Sequence, residues 1–169
     1  HLIDALLLYS LSGKKQFQPD YISLDKVLEE VTDSLSIYIQ ANNVKLISPT
    51  LPTVFADRIQ MIRLFRNLIE NAIKFRGNET PVVNISFSEQ SKEKRYIFTV
   101  EDNGIGISRD YHDQIFLLFQ RNNNSAEHEK GVGMGLAICK KIIDNHSGKM
   151  WLKSTVGHGT SVYFTKIGR

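Results

Sequence analysis

The chain has 169 residues, of which 41% are hydrophobic and 23% charged, with no low-complexity tract or internal repeat, so it suffices for one compact hydrophobic core. Its formal net charge of +3 comes from scattered basic residues, which excludes the charge signature of a nucleic-acid or membrane-surface binder. Cys139 is the only cysteine, so no internal disulfide can form, in keeping with a cytoplasmic protein, and no Cys/His spacing suited to a metal occurs.

In chain order, His1 to Leu11 carries Leu2, Ile3, Leu6, Leu7 and Leu8 and stops at Gly13, Lys14 and Lys15, the pattern of a helix end. It is too short to cross a bilayer and lacks the flanks of a signal peptide. A strand is expected at Phe17 to Ile22, then a helix after Ser23, where Leu24, Val27, Leu28, Val31, Leu35, Tyr38 and Ile39 recur at helical spacing. Val44 to Ser48 and Val54 to Ala56 read as strands. Asp57, with Gln60 three residues on, reads as the N-cap of a further helix.

That helix carries the most specific pattern of the chain. Asn67, Glu70, Asn71 and Lys74 share one face, opposite an apolar arc of Ile62, Phe65, Leu68, Ile69, Ala72 and Ile73. An amide oxygen at Asn71 suits a hard cation such as magnesium, and Lys74 one turn later suits phosphate. Alone, the same face also fits ordinary solvation.

A hairpin is expected from Val82 to Ser88 and Lys94 to Asp102 around the polar Glu89 to Glu93 turn. It runs into Glu101-Asp102-Asn103-Gly104-Ile105-Gly106-Ile107. An isolated Asn-Gly signals another hairpin. Here Gly104 and Gly106 would let the backbone approach a flat ligand, and a carboxylate at a strand end can accept from the amino group of adenine, where guanine offers an acceptor. Gln114 to Arg121 reads as a short apolar helix end, and Asn122 to Lys130, with only Ala126 apolar, as a mobile loop. Gly131, Gly133 and Gly135, followed by Leu136, then open a helix from Ala137 to His146. Glycines entering a helix N-terminus form either an anion site or a flexible linker with a cap. The spacing is neither a Rossmann fingerprint nor a P-loop. Lys149 to Ser154 and Thr160 to Lys166 complete a hairpin around Gly157, where the Thr160 hydroxyl is placed to join the adenine contacts.

The order of these boxes resembles the catalytic ATP-binding domain of the sensor histidine kinases, within the superfamily shared with gyrase, the Hsp90 chaperones and MutL. The resemblance covers roughly residues 20 to 167. It implies a Bergerat-type two-layer α/β sandwich, a mixed sheet covered by three helices, with residues 1–15 as the end of a dimerisation helix and 16–169 as the catalytic domain. It implies ATP and Mg2+ as ligands, with Asn71 on the metal, Asp102 and Thr160 at the adenine amino group, Gly104 and Gly106 beside it, and Phe75 against the ring. Lys74 and Arg121 would approach the phosphates, which Gly131, Gly133, Gly135 and Leu136 would wrap. Val132 stands where the family often has Thr, which removes a hydroxyl contact and leaves the backbone donors.

Hydrolytic members of the superfamily carry a Glu one turn before the metal-binding Asn, and this chain has Asn67. The resemblance therefore implies phosphotransfer to a histidine rather than hydrolysis, with Asn67, Glu70, Lys74 and Arg121 as the catalytic candidates. Glu70 is either an orienting group for the histidine or an outward-facing surface carboxylate. None of His1, His112, His128, His146 and His158 fits the family's acceptor pattern, and apart from His128 in the loop before the glycines they read as surface or turn residues. A fragment is expected, whose partners are its own histidine-bearing dimerisation domain, in a homodimer, and a response regulator receiver domain. The segment is expected to be cytoplasmic, with membrane anchoring of its parent left open, and with no nucleic acid or direct membrane contact of its own. The rival readings are an ATP hydrolase or chaperone-like switch, a protein serine kinase related to the mitochondrial dehydrogenase kinases, and a non-catalytic ATP-binding or dimerisation module.

Overall fold

The computed structural model describes residues 17–90, 95–117 and 134–167. The expected N-terminal helix at 1–15, the polar loop at 122–130, and Arg121, Gly131, Val132 and Gly133 lie outside them. Strand β1 (Pro19–Ser23) leads through helices α1 (Leu24–Ser34) and α2 (Ser36–Ala41) to strands β2 (Lys45–Ile47) and β3 (Thr53–Asp57). Helix α3 (Arg58–Lys74), the hairpin β4 (Val82–Gln90) and β5 (Arg95–Asp102), helix α4 (Gly135–Asn145) and the hairpin β6 (Met150–Ser154) and β7 (Thr160–Ile167) follow.

Five strands form one mixed sheet in the order β2-β4-β5-β7-β6, with β2 parallel to β4 and the other pairs antiparallel. Alternation along the strands buries Val83, Ile85, Phe98, Val100, Val162 and Phe164 and leaves their neighbours half-buried or exposed, so a single face carries the core. On that face Phe98 stacks on Phe164 at 5.2 Å between ring centres, and Phe65 of α3 meets Phe164 edge-on at 6.1 Å. Each such side chain contributes about 1.5–3 kcal/mol by leaving water. Helices α1, α3 and α4 supply the other half of the core through Val27, Val31, Leu64, Ile69, Ile73, Ile142 and Ile143. The expected two-layer sandwich is the observed one.

Three details differ from the sequence expectations. Strands β1 and β3 leave the main sheet and pair with each other, Pro19 opposite Asp57 and Ser23 opposite Thr53. The helix expected to run through Ile39 breaks at Leu35, because the Thr32 and Ser34 hydroxyls donate back to the carbonyls of Glu29 and Val31 and compete with the helical ladder. Of the helix end expected at Gln114–Arg121 only 114–117 are described, and there the chain makes turns after a 3-10 turn at Arg109–Tyr111, since all its backbone bonds but that of Ile115 to Tyr111 span three residues. Among the described residues no helix is long and apolar enough to cross a membrane.

The expected Asp57 cap forms, and Ser23 caps α1 in the same way. Ser23 accepts from the Lys26 amide, and Asp57 accepts from the Gln60 amide at 3.0 Å through Oδ1 and from the Gln18 amide at 3.0 Å through Oδ2. Asp57 is buried, and its own amide donates to Nε2 of His146 at 3.0 Å. His146 lies in the turn that closes α4, as one of its two readings had it, but is buried and not at the surface: the end of α4 is pressed against the start of α3, and the ring satisfies groups on both.

Candidate nucleotide-binding site

Helix α3 brings four candidates to one side. Its buried residues, Met61, Leu64, Phe65, Leu68, Ile69, Ala72 and Ile73, fix its rotation, which leaves Asn67, Glu70, Asn71 and Lys74 half-buried at the edge of the core. Asn67 keeps its Nδ2 buried with no hydrogen-bond partner among the described residues, a costly condition for an amide. Glu70 accepts from Nε of Arg66 at 3.0 Å in an i,i+4 ion pair, so its carboxylate is engaged on the helix surface. The ammonium of Lys74 stands 4.8 Å over the Phe75 ring.

Asn71 faces the first turn of α4. A Cβ added at Gly135 would lie 3.0 Å from Nδ2 and 3.2 Å from Oδ1 of Asn71, so only glycine lets the two helices approach this closely without displacing the amide. The α4 N-cap, Met134, makes no side-chain cap bond. An oxygen donor and the positive end of a helix therefore share one location, with Leu136 half-buried beside it.

The second part of the site is built at the end of β5. Asp102 Oδ1 accepts from the Gly104 amide at 2.8 Å and the Thr160 amide at 3.2 Å. Burial pushes its carboxyl up to about 6, against the lowering effect of those two amides, with Glu101 raising it slightly further. The Asn103-Gly104 pair makes no hairpin. Asn103 instead closes the start of β4, accepting from the Val82 amide at 2.8 Å and donating to the Thr80 carbonyl at 3.0 Å. Gly104 packs on the end of α3, where a Cβ would meet the Phe75 carbonyl oxygen at 2.4 Å, and the Ile105 amide donates to that oxygen at 2.9 Å. Gly106, at φ +71°, lies against Thr155, and Gly159, at φ +87°, against the Asp102 backbone, where a Cβ would sit 1.9 Å from its oxygen.

The two parts meet at the last turn of α3, where the Phe75 amide donates to the Asn71 carbonyl at 2.9 Å. Asn71 thus meets Gly135 through its side chain, and Phe75, at the end of the same turn, meets Gly104 and Ile105 through its carbonyl, next to Asp102 and Thr160. Asn67 and Glu70 lie further toward the start of the same helix, and Arg121, Gly131 and Gly133 are outside the described residues. Ser154 and Gly159 belong to this constellation and were given no role from sequence. The signal for Ser154 was its register opposite Thr160 across the last hairpin.

The chain belongs to the family of histidine kinase-, DNA gyrase B-, and HSP90-like ATPases, whose family model matches residues 56–167. Cyanobacterial phytochrome A of Nostoc sp. is 41% identical over 164 residues, 97% of this chain and 21% of its own length. The phytochrome-like protein Cph1 of Synechocystis sp. is 39% identical over 164 residues, 97% of this chain and 22% of its own. The chain thus spans about a fifth of these relatives. Among solved structures, the catalytic domain of histidine kinase ThkA superposes with a TM-score of 0.73 at 26% identity, covering 90% of this chain and 98% of that one. The expected kinship with histidine kinase catalytic domains holds.

Proposed function

We propose that this domain binds ATP with Mg2+ and donates the γ-phosphoryl group to a histidine carried on a separate helical domain. The observation that supports this reading is the junction at the last turn of α3, where the Asn71 side chain meets Gly135 at a helix N-terminus and the Phe75 carbonyl meets Gly104 next to the Asp102 carboxylate. Asp102 and Thr160 accept from the adenine amino group, the glycines at 104 and 106 leave room for the base, and Phe75 packs on the ring. Asn71 offers its amide oxygen to the metal. Among the described residues no cluster of three His, Cys, Asp or Glu could hold a metal, so retention of Mg2+ depends on the nucleotide phosphates together with Asn71. When bound, Mg2+ neutralises charge on the phosphate oxygens.

Lys74, turning from the Phe75 ring, and Arg121 add positive charge at the phosphates, and the α4 N-terminus with Gly131, Gly133, Gly135 and Leu136 adds backbone donors. The orphaned amide of Asn67 is a donor awaiting an acceptor, which a phosphate oxygen provides. With no carboxylate at position 67 to activate water, the imidazole lone pair attacks the γ-phosphorus as the bond to the departing ADP oxygen breaks. A neutral imidazole, with an ordinary pKa of about 6.5, needs little help from a base at neutral pH. Glu70, held by Arg66, keeps a surface role. The histidine-bearing dimerisation domain of the parent and a response regulator receiver domain are the partners of this reading, in a homodimeric, cytoplasmic or membrane-anchored parent.

Titration calorimetry tests the nucleotide site. ATP binding that weakens on Mg2+ removal and in Asn71→Ala supports it; equal affinity with and without Mg2+, unchanged by Asn71→Ala, contradicts it.

A further inference from the structure

Ser154 closes β6 opposite Thr160, the first residue of β7. Its hydroxyl meets three partners at 2.8 Å each: the Ile107 amide, the Gly159 carbonyl and the Thr160 hydroxyl. A hydroxyl has one proton and two lone pairs. An amide only donates, so Ile107 occupies one lone pair, and a carbonyl only accepts, so Gly159 takes the proton. One lone pair remains. Thr160 must therefore donate its own proton to Ser154, and it meets any ligand as an acceptor.

Asp102 beside it presents the same character. Its Oδ1 accepts from the amides of Gly104 and Thr160, while Oδ2 accepts from no described residue. We infer that Ser154 is a positioning residue for base selection: by fixing the Thr160 hydroxyl as an acceptor, it makes the pair Asp102 and Thr160 complementary to an exocyclic amine and repellent to an exocyclic oxygen. Adenine carries the amine and guanine the oxygen at that position of the ring. The Ile107 bond adds a second effect, since it ties the end of the glycine loop to the β6–β7 hairpin and so fixes the floor on which the base lies. Neither effect requires Ser154 to touch the nucleotide. The inference rests on the reading of this site as an ATP site.

The experiment is a calorimetric titration of ATP and of GTP, separately, into the unsubstituted chain and into Ser154→Ala, Ser154→Thr and Thr160→Val. In Ser154→Ala the Thr160 hydroxyl is free to turn and donate to the guanine oxygen, so the ratio of ATP to GTP affinity falls about tenfold, the worth of one hydrogen bond near 1.4 kcal/mol. Ser154→Thr keeps the hydroxyl and restores the ratio. If Ser154→Ala does not fold, Thr160→Val, which removes the acceptor and keeps Ser154, lowers the ratio by a similar factor. A Ser154→Ala chain that weakens both nucleotides equally overturns the inference and leaves Ser154 as a loop tie only; an unchanged ratio in Thr160→Val overturns it as well. No ATP binding by the unsubstituted chain overturns the ATP-site reading itself, which separates the two failures.

Discussion

His146 and Asp57 join the end of α4 to the start of α3: the imidazole Nε2 accepts the Asp57 amide at 3.0 Å, and Nδ1 donates to the Ile142 carbonyl at 2.7 Å. Both bonds together require the neutral ring with its proton on Nδ1. The ring also meets Phe17 edge-on at 4.9 Å, and nearby Asn145 donates to Gln60 at 3.1 Å. A polar junction thus aligns the two helices whose opposite ends bring Asn71 to Gly135.

Replacing His146 by Ala leaves the Asp57 amide without its acceptor in a buried position and opens a cavity. A loss of about 2–4 kcal/mol is expected in urea unfolding. A loss below 0.5 kcal/mol would show that the junction does not hold the helices.

Gly104→Ala forces the Phe75 carbonyl and the Asp102 carboxylate away from a Cβ that would sit 2.4 and 2.8 Å from them. In the proposed function the displaced groups form the base site, so weaker ATP binding, by at least about tenfold, is expected together with a stability loss of about 1–3 kcal/mol. Calorimetry and thermal melting read the two effects. Native ATP affinity in this variant would separate the Gly104 approach from nucleotide binding.

Asp102 gives a pH dependence with a definite sign. Its folded-state value, raised to about 6 from 3.8, means that the chain is free of the burial penalty below the ordinary value and carries it in full once the pH rises through 6. Asp102→Asn keeps an acceptor for the two amides and removes the charge, so it is expected to stabilise the free protein at pH 7.5 by about 1–3 kcal/mol, with the gap closing at pH 4. Urea unfolding at the two pH values checks this. The same variant is expected to bind ATP more weakly, and in the unsubstituted chain ATP affinity is expected to fall as pH drops below 6, where the carboxylate takes up a proton. A wild-type chain more stable than the variant at pH 7.5 would contradict the assignment.

Asn67 has an amide donor without a partner among the described residues, so Asn67→Leu is expected to stabilise the free domain by about 1 kcal/mol while slowing phosphotransfer. Melting curves and transfer rates measured on one preparation decide it. A destabilised variant with normal transfer would place Asn67 among the structural residues.

The motif-bearing elements were legible because each rests on local chemistry. The Asp57 cap, the α3 face, the strand leading to Asp102 and the last hairpin all carry periodicity or turn residues within a few positions. What was not legible depended on long-range packing. The burial of His146 comes from a contact with Asp57, 89 residues away in sequence. The close approach of Gly135 to Asn71 and the bond from the Ile107 amide to Ser154, 47 residues away, likewise arise only when separate elements dock. The helix break at Leu35 turned on whether the Thr32 and Ser34 hydroxyls face solvent or bond back to the helix, which spacing does not specify.

The central claim is transfer of the γ-phosphoryl group to an imidazole, and its most direct measurement is incubation of this chain with γ-labelled ATP, Mg2+ and the histidine-bearing helical domain of its parent. Acid-labile, alkali-stable label on the supplied domain, absent with Asn71→Ala, is the predicted result. Release of free phosphate with no label on that domain would contradict the account.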